Sequence, residues 1–147
     1  MKPSSSELLM VLLQDLSLHI APALADTYLQ SSAQLWAVLC LLTNQEQARA
    51  ADVRLKDIRS MRAMFGSLSE LVGPELKARL RAAHAGEDHH LDIASLDATH
   101  AELSTLLITL QEDLEMRADK TAREACKVIW SHLNASAQRH ALTLPFS

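Results

Sequence analysis

Residues 27–65 read TYLQSSAQLWAVLCLLTNQEQARAADVRLKDIRSMRAMF, and this stretch decides the fold. Its apolar residues recur at helical spacing, so it predicts a helix that ends near Gly66. The first half is apolar on nearly every side and needs several neighbours to cover it, whereas the second half is amphipathic and charged. The segment TNQE at 43–46 matches a capping box, so the sequence leaves open whether 27–65 is one helix or two.

Composition points to the same class of fold along the whole chain. Leu and Ala together supply 49 of the 147 residues, while Val and Ile supply 10 and Gly only 3. Straight-chain and small side chains favour helices, and β-branched and aromatic side chains favour strands. We therefore predict an all-α protein, an up-and-down bundle of four to six helices with long antiparallel members. The length suits one domain, 1–147, with a loosely held tail at 140–147.

Caps and helix breakers predict the other boundaries. Ser4-x-x-Glu7 is a capping box for a first helix, and Pro22 kinks or ends that helix. Asp26 is a good N-cap for the long helix. Pro74 predicts the start of a further helix. A loop is predicted at 86–94, and the candidate caps of the next helix are Asp92, Ser95 and Thr99. A last helix is predicted at 121–140.

Charge, apolar run length and cysteine usage exclude several classes of partner. The net charge of −4 argues against a nucleic-acid-binding protein, which needs a basic surface. The longest apolar run, LWAVLCLL at 35–42, is far shorter than the roughly 20 residues that span a bilayer. No signal peptide is evident, and Cys40 and Cys126 fit buried thiols in helices better than a disulfide or zinc pattern. These features favour a cytoplasmic protein with no membrane and no nucleic-acid partner.

A group of histidines and carboxylates in the loop at 86–94 and around it raises the question of a metal site. Glu87-x-x-His90 and Asp97-x-x-His100 each resemble one pair of the ligand set that helix bundles use for two metal ions. The two pairs lie in one region rather than on separate helices, so the set lacks half its parts. The alternative is a polar loop with solvated side chains. A metal- or small-ligand-binding bundle is kept as the alternative function, with these ligands: His84, Glu87, His89, His90 and His100.

Basic side chains recur every few residues on the second half of the long helix. Such a stripe could hold a phosphate-bearing ligand, although it is more often a solvated face. Asp52, four residues before Lys56, already provides one local partner. The candidate anion-binding face consists of Arg54, Lys56, Arg59 and Arg62.

Catalytic motifs are not evident. The chain has no Gly-x-Ser-x-Gly turn and no phosphate-cradling glycine loop. A helical enzyme would need a buried polar cluster, for example His19, His132 and an acidic residue converging in one cavity. The sequence therefore predicts no catalytic residue and no cofactor, and it favours a non-enzymatic protein without deciding the question.

The first two predicted helices carry more apolar surface than one buried stripe requires. Either a central helix of the bundle absorbs this surface or a second subunit covers it, and we favour a homodimer. The candidate interface residues are Leu9, Leu13, Leu35, Trp36 and Leu39.

Residues 12–42 also resemble the start of a family of short bacterial all-helical proteins of unknown function. The resemblance is carried by the pattern I-A-P-x-L-x-D-x-Y, here Ile20 to Tyr28, and by the closing segment IWSHLNASAQRH at 129–140. Members are encoded near acyl-CoA dehydrogenases and aminoglycoside-phosphotransferase-like kinases. The resemblance implies an accessory or protein-interaction module linked to acyl-CoA metabolism, with a protein partner, and it carries over no catalytic residues.

Overall fold

The computed structural model describes residues 3–88, 90–117 and 119–144. Every regular element in these ranges is a helix, so the predicted all-α fold is confirmed. The α-helices are α1 Ser5–Asp15, α2 Ala21–Ala23, α3 Thr27–Leu68, α4 Pro74–Ala85, α5 Ile93–Glu115 and α6 Lys120–His140; a π-helix at Leu16–Ile20 and a 3-10 helix at Ser69–Leu71 complete the set.

The chain divides into two compact units, and α3 contributes to both. The hairpin unit comprises described residues 3–50 and 141–144, and the bundle unit comprises described residues 51–140. The single domain at 1–147 remains a prediction.

The hairpin unit is built from two capped helices. At the start of α1, Ser4 Oγ accepts from the Glu7 N–H at 3.2 Å, and the Ser4 N–H donates back to the Glu7 carboxylate at 2.6 Å. Asp26 caps α3 by accepting from the N–H groups of Tyr28 and Leu29 at 2.8 and 3.1 Å. These are the predicted caps, and each satisfies N–H groups that a helix start leaves without partners. Gln47 donates to Ser5 Oγ, so α1 and this part of α3 run antiparallel.

The long helix is continuous through both points where the sequence suggested an end. The capping box at Thr43–Glu46 is not used, and Gly66 lies inside α3, which ends at Leu68. A capping box offers only local hydrogen bonds, while an unbroken helix keeps every i to i−4 backbone bond. The open question about 27–65 is therefore settled as one helix, and the expected stop at Gly66 is wrong.

The bundle unit has up-and-down topology. Arg54 of α3 pairs with Asp97 near the start of α5, and Arg117 just after α5 donates to the Leu71 carbonyl just after α3, so α3 and α5 run parallel. The other two helices run the opposite way. Near the end of α4, His84 contacts the Arg62 carbonyl. In α6, His132 contacts Ser60.

Large apolar side chains fill the centre of the bundle unit. Burying one of them fully stabilises the fold by about 1.5–3 kcal/mol relative to leaving it in water. The largest fully buried apolar side chains are Phe65, Ile58, Met61, Leu80, Leu96, Leu110, Leu114 and Ile129. Asp92 rather than Thr99 begins α5, and its carboxylate accepts from the Ser95 N–H at 2.9 Å. This earlier start brings Leu96 into the core.

None of the described helices is long and apolar enough to cross a membrane. This agrees with the short apolar runs in the sequence.

Replacing Thr43 by Ala tests the continuity of α3. In an unbroken helix the change should stabilise the protein by about 0.3–0.7 kcal/mol, because Ala has the higher helix propensity. Were Thr43 an N-cap, the same change would cost about 1 kcal/mol. Ser4→Ala, at a helix start that does use its capping box, is the matched control and should lose about 1 kcal/mol. Urea unfolding followed by circular dichroism measures both.

Candidate functional site

The hairpin unit leaves many of its large apolar side chains exposed. Its buried apolar residues, among those described, are all alanines: Ala21, Ala33, Ala37 and Ala50. No residue of α1 is buried, although the helix contains six large apolar side chains. Two helices packed side by side can cover only the strip where they meet. The rest of each helix surface therefore faces solvent.

Two exposed stripes result, one on each helix. Leu8, Val11 and Leu12 lie on the outer side of α1 and are 55%, 63% and 47% exposed. Their spacing of three and four residues places them on one face. On α3, the exposed stripe consists of Tyr28, Leu35, Trp36 and Leu39.

The five predicted interface residues divide between the covered strip and this exposed stripe. Leu9 and Leu13 of α1 are half-buried. Leu35, Trp36 and Leu39 of α3 are 58%, 65% and 52% exposed. The α3 residues are thus available to a partner. On α1 the exposed residues are Leu8 and Leu12, each one position before a predicted interface residue.

A groove of about 580 Å³ runs along one side of the seam between the two helices. Apolar side chains from both helices line it, with Ser17 and Gln34 as its polar members. The groove lies beside the π-helix Leu16–Ile20, where the Ala21 N–H donates to the Leu16 carbonyl five residues earlier. Pro22 follows directly and has no N–H to continue the α-helical pattern. Such π segments recur at functional sites.

Charged groups are scarce on this surface. Between residues 8 and 44 the sequence contains two acidic residues, Asp15 and Asp26, and no Lys or Arg. Asp26 is engaged as the cap of α3, and Asp15 pairs with His19 at 3.0 Å. A partner could therefore cover the hairpin with little loss of charge hydration, which is the usual composition at the centre of a protein interface.

The candidate anion-binding face is largely neutralised by carboxylates. Arg54 pairs with Asp97 at 2.5 Å, Lys56 with Asp52 at 2.7 Å, and Arg62 with Asp88 at 2.6 Å. Arg59 is exposed. The partners Asp97 and Asp88 are remote in sequence. The sequence alone therefore did not show that Arg54 and Arg62 are paired with carboxylates and are less accessible to an anionic ligand.

The candidate metal ligands do not converge within the part of the chain that the structure describes. No three side chains of His, Cys, Asp or Glu meet there in a metal-binding arrangement. His84 contacts the Arg62 carbonyl at 2.9 Å, and His100 contacts Ser104 at 3.4 Å. Glu87 and His90 are exposed, and His89 lies outside the described residues.

A buried carboxylate in the bundle unit was not found from the sequence. Asp57 of α3 is fully buried and is bound by Arg139 Nε at 2.6 Å, His140 Nε2 at 2.7 Å and Ser136 Oγ at 3.0 Å. Burial alone would raise the pKa of Asp57, but the hydrogen bonds from Arg139, His140 and Ser136 outweigh it and hold the pKa below its ordinary value. The available signal was its register: Asp57 lies four residues from both Val53 and Met61, on the buried face of α3.

A second polar contact lies one turn further along α3. Ser60 Oγ and His132 Nδ1 are 2.9 Å apart. Burial lowers the pKa of His132, and the positive charge of Arg139 lowers it further, against the opposing effect of Asp57. The lowered pKa favours the neutral imidazole, whose Nδ1 either accepts a hydrogen bond from the Ser60 hydroxyl or donates one to its oxygen, depending on the tautomer. His19, its proposed companion in a catalytic cluster, belongs to the hairpin unit and pairs with Asp15 instead.

Comparisons with protein-family models, curated sequences and solved structures give no match for this chain.

Replacing Asp57 by Asn tests the buried carboxylate. The variant should lose about 2–3 kcal/mol of unfolding free energy, because Arg139 and His140 lose a charged partner but can turn towards water. Asp52→Asn on the same helix is the matched control; its pair with Lys56 is exposed, so the loss should stay below about 0.5 kcal/mol. Equal losses in the two variants, measured by urea unfolding, would contradict the assigned role.

The two lowered pKa values predict how stability depends on pH. His132 resists protonation in the folded state, so stability should fall as pH drops below its ordinary value of 6.5. Asp57 adds stability above its ordinary value of 3.8, and that contribution is lost as pH falls further, through the lowered pKa. Urea midpoints for His132→Gln should vary less between pH 7 and pH 5 than those of the unaltered protein. Parallel curves for the two proteins would contradict a role for His132 in this dependence.

Proposed function

We propose that this chain is a non-enzymatic interaction or accessory module that acts as a cytoplasmic homodimer through its hairpin unit. The observation that carries the proposal is the contrast in burial between the two units. The bundle unit buries Phe, Met, Ile and Leu side chains, whereas the hairpin unit fully buries only alanines among its described apolar residues.

The amount of exposed apolar surface supports a protein partner. Eleven large apolar residues from Leu8 to Leu39 are between 36% and 77% exposed to solvent. A stable protein interface covers roughly 800 Å² on each partner. Surfaces of this size and apolarity are uncommon on monomers.

A second copy is a partner that can satisfy both helices. Two such hairpins packed together form four helices, an arrangement that commonly buries a central apolar core between its members. The scarcity of charge between residues 8 and 44 allows two identical surfaces to meet with little like-charge repulsion. The proposed link to acyl-CoA metabolism follows from the family resemblance.

A charge placed on the α3 stripe should separate the subunits. The unaltered chain is expected to have about twice its 16.2 kDa mass by light scattering at micromolar concentration. Trp36→Lys should raise the dissociation constant at least tenfold, because it buries an unpaired charge in the interface. Trp130→Lys, at a tryptophan of α6 that is 61% exposed compared with 65% for Trp36, should leave the dimer intact.

Fluorescence gives an independent measure of the same event. The chain has two tryptophans, so Trp130→Phe leaves Trp36 as the only indole reporter. Its emission should shift to shorter wavelength as protein concentration rises, since the indole leaves water. A mass of 16.2 kDa for the unaltered chain, with concentration-independent emission, would contradict self-association.

A further inference from the structure

A serine and a histidine from different helices meet at the wall of a hollow in the bundle unit. Ser60 Oγ of α3 lies 2.9 Å from His132 Nδ1 of α6, within hydrogen-bond distance. Both residues line an open hollow of about 460 Å³, a volume within the range of small-molecule sites. Ser60 is half-buried, and His132 is 9% exposed. The serine hydroxyl is thus held between an imidazole and a space that a small molecule can enter.

The direction of the Ser60 hydroxyl differs from that of other hydroxyl groups in the described helices. A serine or threonine inside a helix often donates to the carbonyl four residues earlier, as Ser32 and Thr105 do at 2.9 and 3.0 Å. That bond uses the hydroxyl proton within the helix backbone. The Ser60 hydroxyl contacts the imidazole of another helix instead. When the imidazole carries its proton on Nε2, Ser60 donates to Nδ1 and both lone pairs of its oxygen stay available.

The surroundings of His132 favour the form of the imidazole that can act as a base. Burial lowers the pKa of His132, the positive charges of Arg139 and His100 lower it further, and Asp57 opposes them. The neutral imidazole is the form that can take a proton from a serine hydroxyl. A serine beside such a base is the usual arrangement of an activated nucleophile.

The lining of the hollow indicates which group it can accept. Met64, Val128 and Ala135 give it apolar walls, and its two charged members, Glu124 and Lys127, pair with each other at 2.8 Å. A charged ligand group would need a counter-charge that this ion pair already uses, whereas a small neutral group needs none. The lining therefore fits a small neutral group.

The backbone around the pair indicates how far a reaction can proceed. The described lining residues all lie inside α3 or α6, beyond the first turn, so the helices use their N–H groups. Fast acyl transfer needs free donors for the oxyanion of the tetrahedral intermediate, and backbone N–H groups commonly supply them. An ester formed at Ser60 should therefore persist, since its hydrolysis passes through a second such intermediate.

We propose that Ser60 is a covalent acceptor for a small neutral acyl group from an activated ester, with His132 as its general base. His132 Nδ1 takes the hydroxyl proton as Ser60 Oγ bonds to the carbonyl carbon. The bond from that carbon to the leaving oxygen then breaks, and His132 gives the proton to this oxygen. The products are the Ser60 ester and the free alcohol. The site lies in the bundle unit, and its reaction does not depend on dimerisation of the hairpin unit.

The test uses the full chain and 4-nitrophenyl acetate, which releases coloured 4-nitrophenolate. The unaltered chain should show a burst of about one equivalent, with the acetyl group found on Ser60 by mass spectrometry of its peptides. Ser60→Ala should lose the burst, and His132→Gln should slow it at least tenfold. Ser104→Ala is the matched control, since that hydroxyl lies 3.4 Å from His100 and is not part of the lining, and its burst should be unchanged. A burst that survives Ser60→Ala, or acetyl groups found only on lysines, would overturn the proposal.

A measurement on the unaltered protein keeps the test independent of the folding of the variants. The rate of Ser60 acetylation should rise with pH as His132 loses its proton and then level off, because the base is fully available above its pKa. The midpoint should equal the pKa of His132 measured by nuclear magnetic resonance, which lies below the ordinary value of 6.5. A rate that keeps rising in proportion to hydroxide, with no levelling at that pKa, would also overturn the proposal.

Discussion

The continuity of α3 from Thr27 to Leu68 is the constraint on which the rest of the structure depends. A single helix must follow one regular path, so its side chains meet whatever neighbours lie along that path. In the bundle unit three helices surround it, and Ile58, Met61 and Phe65 are fully buried. In the hairpin unit α1 is its main helical neighbour, and Leu35, Trp36 and Leu39 stay exposed. The apolar surface of the hairpin is thus a consequence of helix geometry and the number of neighbours.

Polar groups fix the position of α6 against α3 within the bundle unit. Apolar contacts between helices have little directionality, since a leucine can pack in several registers. Asp57 has no such freedom, because a buried carboxylate needs donors at defined distances. Ser136, Arg139 and His140 supply them from successive turns of α6 and its end. A shift of one turn would leave the charge buried without partners, so the carboxylate sets the register of the pair.

Exposed apolar surface and low charge together give the hairpin unit its proposed role. Either feature alone is common on protein surfaces, because more than half of a typical surface is apolar. Here both occur on the same pair of helices, beside a groove and a π-helix.

Local chemistry in the sequence was enough to determine the helical class and several helix ends. Ser4, Asp26 and Pro74 act on N–H groups within a few residues, so their effect does not depend on the rest of the fold. Exposed side chains at Leu35, Trp36 and Leu39 could also be anticipated, because a helix that is apolar all round has more apolar surface than a few neighbours can cover. Their use as an interface stays a prediction.

Only the tertiary structure decided which local signals were used and which charges had partners. The capping box at Thr43–Glu46 and the stop at Gly66 were overridden, since packing along α3 favours the unbroken backbone bonds. Arg54 and Arg62 pair with carboxylates that are 43 and 26 residues away in sequence. The groups that donate hydrogen bonds to Asp57 are 79 to 83 residues away. Pairs so distant in sequence leave no periodic pattern, because their meeting depends on how the helices fold back on one another.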